Sequence, residues 1–145
     1  MTVSEQRQHV EIDSRDDIEL RLGADVVHLP IVRSVAANIA MRADFDLDAI
    51  SDLELAVDEA CATLIALAAA ESILGCRFTI GSDEIAVTAS VRSDHTEAAN
   101  TSSFGWQVLN TLTDSAVTWS EPDGVGSGQH LVSIGLSKRR PVVAG

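Results

Sequence analysis

Lysine is nearly missing from this chain: Lys138 is the sole example, inside the short basic run Lys138-Arg139-Arg140. Basic residues total 10 against 22 acidic ones, a net charge of −12 over 145 residues. A phosphate backbone needs clustered Lys and Arg, so this balance disfavours direct binding of nucleic acid and favours a basic protein partner. Cysteine is scarce as well. Cys61 and Cys76 stand 15 residues apart, which excludes a disulfide framework and a C-x-x-C metal or redox motif. A reduced, cytoplasmic setting is the simplest reading. Long apolar runs are absent. The most apolar stretch, Ala60 to Ala70, ends at Glu71, whereas a membrane helix needs about 20 such residues. The polar start MTVSEQRQHVEIDSRDD contains no apolar core of a signal peptide. No Gly-Lys-Ser/Thr completes a P-loop, and no G-x-S-x-G elbow is present. His9, His28, His95 and His130 are scattered without metal-ligand spacing, each reading as a surface or internally satisfied histidine.

What is present suits one globular domain. Hydrophobic residues make up 46% and charged residues 22%, enough to bury a core. Ile18 to Leu22 alternates apolar and polar, as a half-buried strand does. From His28 to Met41, apolar residues at 31, 32, 35, 36 and 39 follow helical spacing, and Pro30 suits the first turn. The longest helix is predicted from the acid-rich Asp44–Asp48 segment to about Ala70, with Gly75 as the stop. A hairpin follows, Cys76 to Ile80 and Glu84 to Val91. Ser93 to Ser103 reads as a polar loop and Phe104 to Leu112 as a short helix. Two strands close the chain, Ala116 to Trp119 and Gln129 to Leu136. This order predicts an α+β two-layer sandwich, with a mixed, mostly antiparallel sheet covered on one face by helices. The domain is expected over residues 17–138, with 1–16 a flexible extension and 139–145 a tail.

Several motifs dissolve on inspection. Asp44-x-Asp46-x-Asp48 resembles a calcium loop, but its sixth position is Ala49 and its twelfth Leu55, where Gly and Glu are required. Acids at a helix start explain it. Gly124-x-Gly126-x-Gly128 is followed by Gln129, not a further Gly, and reads as a turn between strands. The long helix is more informative. Val57, Cys61, Leu64 and Ala68 form one apolar stripe, while Glu59 and Thr63 lie about 200° from Cys61. An acid and a hydroxyl therefore project away from the core stripe. They are either the solvated side of an amphipathic helix or a carboxylate facing a ligand cleft, where it acts as a general base. Cys61, on the core stripe, is expected to be buried and unreactive.

Glu54-Leu-Ala-Val-Asp-Glu59-Ala-Cys-Ala-Thr63-Leu-Ile resembles the N box of RsbW-type bacterial anti-sigma factors, E-L-A-V-x-E-A-x-x-N-A-I. Phe104-Gly105-Trp-Gln-Val-Leu-Asn-Thr-Leu-Thr-Asp114-Ser-Ala-Val, followed by Gly128-Gln129-His130 through Lys138, is similar to that family's ending. The resemblance covers about Asp17 to Lys138. It implies a histidine-kinase-like ATPase fold, with nucleotide between the N-box helix and the sheet. It also implies a homodimer that keeps a stress- or sporulation-type sigma factor from RNA polymerase until anti-anti-sigma antagonists release it. Active family members use Mg-ATP to phosphorylate a serine of the antagonist, so a working serine protein kinase is the alternative reading.

By that resemblance Glu59 takes the place of the catalytic base, and Thr63, Asp94, Gly105 and Gly128 fall in the nucleotide pocket. The departures are specific. Thr63 replaces the Asn that carries Mg2+. The D-x-G-x-G box is replaced by Arg92-Ser-Asp94-His-Thr-Glu-Ala-Ala-Asn100, where Asp94 supplies a carboxylate only with a one-residue shift. Ser103 stands in place of the first glycine of the later box, Gly105 remains, and the Gly-Thr pair is Gly128-Gln129. Phosphoryl transfer is mostly positioning and charge neutralisation. The expectation is therefore weak or atypical binding of ATP and Mg2+, and little kinase activity.

Overall fold

The computed structural model describes residues 17–124, 126 and 128–141. The expected extension 1–16, with His9, and residues 142–145 of the expected tail lie outside the described residues. The elements run β1 (Asp17–Gly23), a 3-10 turn (Val26–His28), α1 (Leu29–Arg42), α2 (Leu47–Leu67), β2 (Ile73–Ile80), β3 (Glu84–Ser93), α3 (Phe104–Leu112), β4 (Ser115–Pro122) and β5 (His130–Arg139). The sheet order is β1-β2-β3-β5-β4, and all four pairings are antiparallel. Short turns join β2 to β3 and β4 to β5 as antiparallel hairpins, whereas β1 reaches β2 through both long helices and β3 pairs with β5 across α3 and β4.

Local chemistry explains most boundaries. Pro30 occupies the first turn of α1, where its missing N–H costs nothing. Asp46 caps α2, its Oδ1 accepting from the Ala49 N–H at 2.8 Å, and Asp48 sits in the first turn. The aspartate triplet is thus a helix start. Ser103 caps α3 by accepting from the Trp106 N–H at 3.1 Å. Gly124, Gly126 and Gly128 carry φ of +83°, +75° and +72°, left-handed values that glycine adopts without strain.

One expected boundary is wrong. Gly75 does not stop α2. The helix ends at Leu67, Ala68 turns extended, and Glu71 takes φ +59° before β2 begins at Ile73. The Ala69 N–H then donates to the Arg92 carbonyl at 2.8 Å, fixing this end of α2 to β3. Gly75 lies inside β2, paired with Arg21 and Ser90. β5 continues to Arg139, and the Arg140 N–H donates to the Asp83 carbonyl at 2.7 Å.

The helices cover one face of the sheet. Cys76, Phe78, Ile85, Val87, Ala89, Val91, Val132, Ile134 and Leu136 alternate toward them and are buried. From α1 and α2 they meet Val32, Ala36, Ile39, Leu53, Val57 and Leu64. The opposite face carries Thr88, Ser90, Arg77, Ser133 and Gly135, with Val117 and Trp119 exposed on β4. No helix of the described residues is long and apolar enough to cross a membrane.

Candidate functional site

α2 places its residues as its periodicity requires. Val57, Cys61 and Leu64 are buried against the sheet, Ala68, expected on the same stripe, lies past the helix end and is half-buried, and Glu59 and Thr63 are half-buried on another side. Thr63 Oγ1 donates to the Glu59 carbonyl oxygen at 2.9 Å, with Glu59 Oε2 at 3.3 Å. This back-bonding is a common use of a helical Thr hydroxyl. The Glu59 carboxylate also lies against Gly105: a Cβ added there would meet Oε2 at 2.6 Å and Cδ at 3.1 Å. Gly105 is the second residue of α3, whose first turn has unused N–H groups and favours negative charge. Glu59, Thr63 and Gly105 therefore come together.

Asp94 does not join them: it pairs with Gln129, the residue after Gly128, and a Cβ added at Gly128 itself would meet nothing within 4 Å. Gln129 Nε2 donates to Asp94 Oδ1 at 3.1 Å. Both residues adjoin the last register pair of β3 and β5, Ser93 with His130.

The loop from residue 94 to 103 passes between these elements. Its Ala99 is buried in the core cluster. The Ala99 N–H donates to Thr118 Oγ1 at 3.2 Å, and that hydroxyl donates to the Ser133 carbonyl at 2.8 Å. Nothing in the loop's polar sequence announced this anchor. Two further atoms were missed. Ser120 Oγ and His130 Nδ1 are buried without a hydrogen-bond partner among the described residues. Both side chains sit on the helix-covered face, diagonal to one another across β4 and β5. His130 is thus half-buried, with no partner for Nδ1 among the described residues, where a surface or internally satisfied histidine was expected. Its position directly after Gly128-Gln129 was the available signal.

These residues offer few of the groups that would hold a Mg2+-triphosphate. The Thr63 hydroxyl gives its proton to the Glu59 carbonyl and would offer a metal only a single neutral oxygen. The space that a missing side chain leaves at Gly105 is taken by the Glu59 carboxylate, whose charge would repel phosphate. The loop lacks glycine and is tied down at Ala99. Among the described residues, cavities of about 290 and 310 Å³ open around Gly75 on the uncovered sheet face, and one of about 510 Å³ lies between Ile18 and α1.

The Thr118 anchor is testable. Thr118→Val keeps the shape and removes both hydrogen bonds, a loss of about 1–2 kcal/mol locally. Hydrogen exchange at the Ala99 amide should then speed up roughly tenfold, with the central strands unchanged. Unaltered exchange at Ala99 would show that the loop is held otherwise.

Residues 22–126 match the profile of the histidine kinase-like ATPase domain. That span includes Glu59, Thr63, Asp94 and Gly105 and stops just short of Gly128. The chain is 35% identical over 126 residues to the anti-sigma-F factor RsbW of Mycobacterium tuberculosis, in strain CDC 1551 / Oshkosh and in strain ATCC 25618 / H37Rv. Each alignment covers 85% of this chain and 73% of the relative. With its helix-covered antiparallel sheet and its N-box helix, the chain belongs to the histidine kinase-like ATPase family, as an RsbW-type member.

Proposed function

We propose that this protein is an anti-sigma factor. It binds an alternative sigma factor of the stress or sporulation type, keeps it from RNA polymerase, and yields it to anti-anti-sigma antagonists. The observation that carries this reading is the 35% identity to anti-sigma-F factor RsbW across 85% of the chain. The charge of −12 suits a partner that presents basic surfaces. The working unit is the domain over residues 17–138, as a homodimer in the cytoplasm. The uncovered sheet face supports self-association, because Val117 and Trp119 are 56% and 38% exposed on it.

Glu59 is the candidate general base, and Thr63, Asp94, Gly105 and Gly128 are the candidate nucleotide-pocket residues. Metal and phosphate handling are damaged, so nucleotide binding is weak or atypical and sigma capture does not need it. The kinase reading keeps one specific support, the half-buried Glu59 carboxylate beside the first turn of α3.

One experiment separates these readings. Tagged protein is used to capture partners from native bacterial lysate at fixed salt, with and without Mg-ATP. A sigma factor should be recovered equally in both conditions, and equally by Glu59→Ala. Failure to recover any sigma factor in either condition would overturn the anti-sigma reading. Transfer of labelled phosphate to an antagonist, abolished by Glu59→Ala, would establish the kinase instead.

A further inference from the structure

We infer that Cys61 of α2 and Cys76 of β2 form a reversible disulfide that bolts the N-box helix to the sheet. The inference is independent of the proposed function. The two sulfurs face each other at 3.6 Å inside the core. Cys61 is fully buried and Cys76 is 2% exposed. Cys76 points toward the helix layer between its register partners Leu20 and Ala89. Nothing separates the two thiols, so closing the bond needs the sulfurs to approach by about 1.5 Å, to the usual S–S length of about 2.05 Å.

A single buried thiol is inert because it lacks both access and a partner. Here the partner is already in contact. The hydrogen bond between the thiols pulls Cys76 below the ordinary thiol value, although burial opposes this. The same hydrogen bond and burial push Cys61 well up. Cys76 is also slightly the more accessible of the two and is the sulfur that attacks an oxidant.

With hydrogen peroxide as oxidant the chemistry balances. The Cys76 thiolate attacks one peroxide oxygen and breaks the O–O bond, giving a Cys76 sulfenic acid and hydroxide, which takes up a proton to become water. The Cys61 sulfur, losing its proton, then attacks the Cys76 sulfur and expels the hydroxyl as a second water. Two thiols are oxidised and one peroxide is reduced to two waters. A dithiol reverses the bond by exchange. Because both sulfurs are buried, oxidation proceeds only as fast as the core opens locally.

Cys61 lies midway between Glu59 and Thr63 in sequence and on the opposite side of the helix. The disulfide would therefore hold the back of the helix whose front carries the candidate site. It would also close a short loop, which constrains the unfolded chain.

The full chain, fully reduced, is exposed to hydrogen peroxide while circular dichroism confirms that it stays folded. It is then denatured in an alkylating agent and analysed by mass spectrometry. The expected product is a monomer lighter by two hydrogens, with the Cys61 and Cys76 peptides joined, no alkylation at either, and full reversal by dithiothreitol. Its melting temperature should exceed that of the reduced protein. Cys61→Ala and Cys76→Ala should each give no internal link. The inference is overturned if both thiols remain alkylatable, if only sulfinic acid or intermolecular dimers form, or if the link appears only after denaturant unfolds the protein.

Discussion

Phe78→Ala is expected to destabilise the protein by about 3–5 kcal/mol. Phe78 is fully buried near the middle of β2, in register with Ile18 on one side and Val87 on the other. Its ring points into the layer between sheet and helices. Shrinking it to a methyl group loses the transfer free energy of the ring and leaves a cavity that close-packed neighbours fill only partly. A domain of this size has only about 5–15 kcal/mol of stability in total. The midpoint of urea unfolding should therefore fall steeply, with Phe78→Leu giving a much smaller drop. A loss below about 1 kcal/mol would mean that Phe78 does not sit at the centre of the core.

Lys138→Met is expected to cost about 1–3 kcal/mol, the larger share through an orphaned acceptor rather than a lost charge pair. The ammonium group of Lys138 donates to Asp52 Oδ2 at 3.1 Å and to the Leu112 carbonyl at 3.0 Å. One side chain from β5 thus joins the early part of α2 to the last turn of α3. A cation at a helix C-terminus also complements the helix dipole. Asp52 is 38% exposed, so water screens its pairing with the lysine. Methionine keeps the apolar stem and isolates the polar head. Asp52→Asn should therefore cost less than Lys138→Met, and a double-mutant cycle should return a coupling of about 1 kcal/mol or less. A melting temperature unchanged by Lys138→Met would remove this residue from the account of stability. The sole lysine, which reads from the sequence as part of a basic run, is a bracket between layers.

The candidate site was partly legible. Glu59 and Thr63 share a helix face because residues four apart always do, and both sit where that rule puts them. Gly105 joins them only because α3 packs beside α2, which no local window reports. Asp94 and Gln129 meet because β3 and β5 end together, although 35 positions separate them in the numbering. The tethering of Ala99 to Thr118, and Ser120 Oγ, which has no partner among the described residues, had no signal beyond ordinary alternation.

Local periodicity determined the α+β class, the order of the strands and helices, the core stripe of α2, and the exact span of α3. Those features depend on contacts within a few residues, where spacing and capping act directly. Gly75 was misread for the same reason: glycine ends many segments, but here it lies in a strand whose partners are far away in sequence. Tertiary structure alone decided that the sheet is antiparallel throughout its described strands, that the Glu59 carboxylate fills the space at Gly105, that two distant thiols touch, and that Lys138 reaches Asp52 across 86 positions. Such contacts are set by how whole elements pack to bury their apolar faces, and that choice belongs to the chain as a whole rather than to any stretch of it.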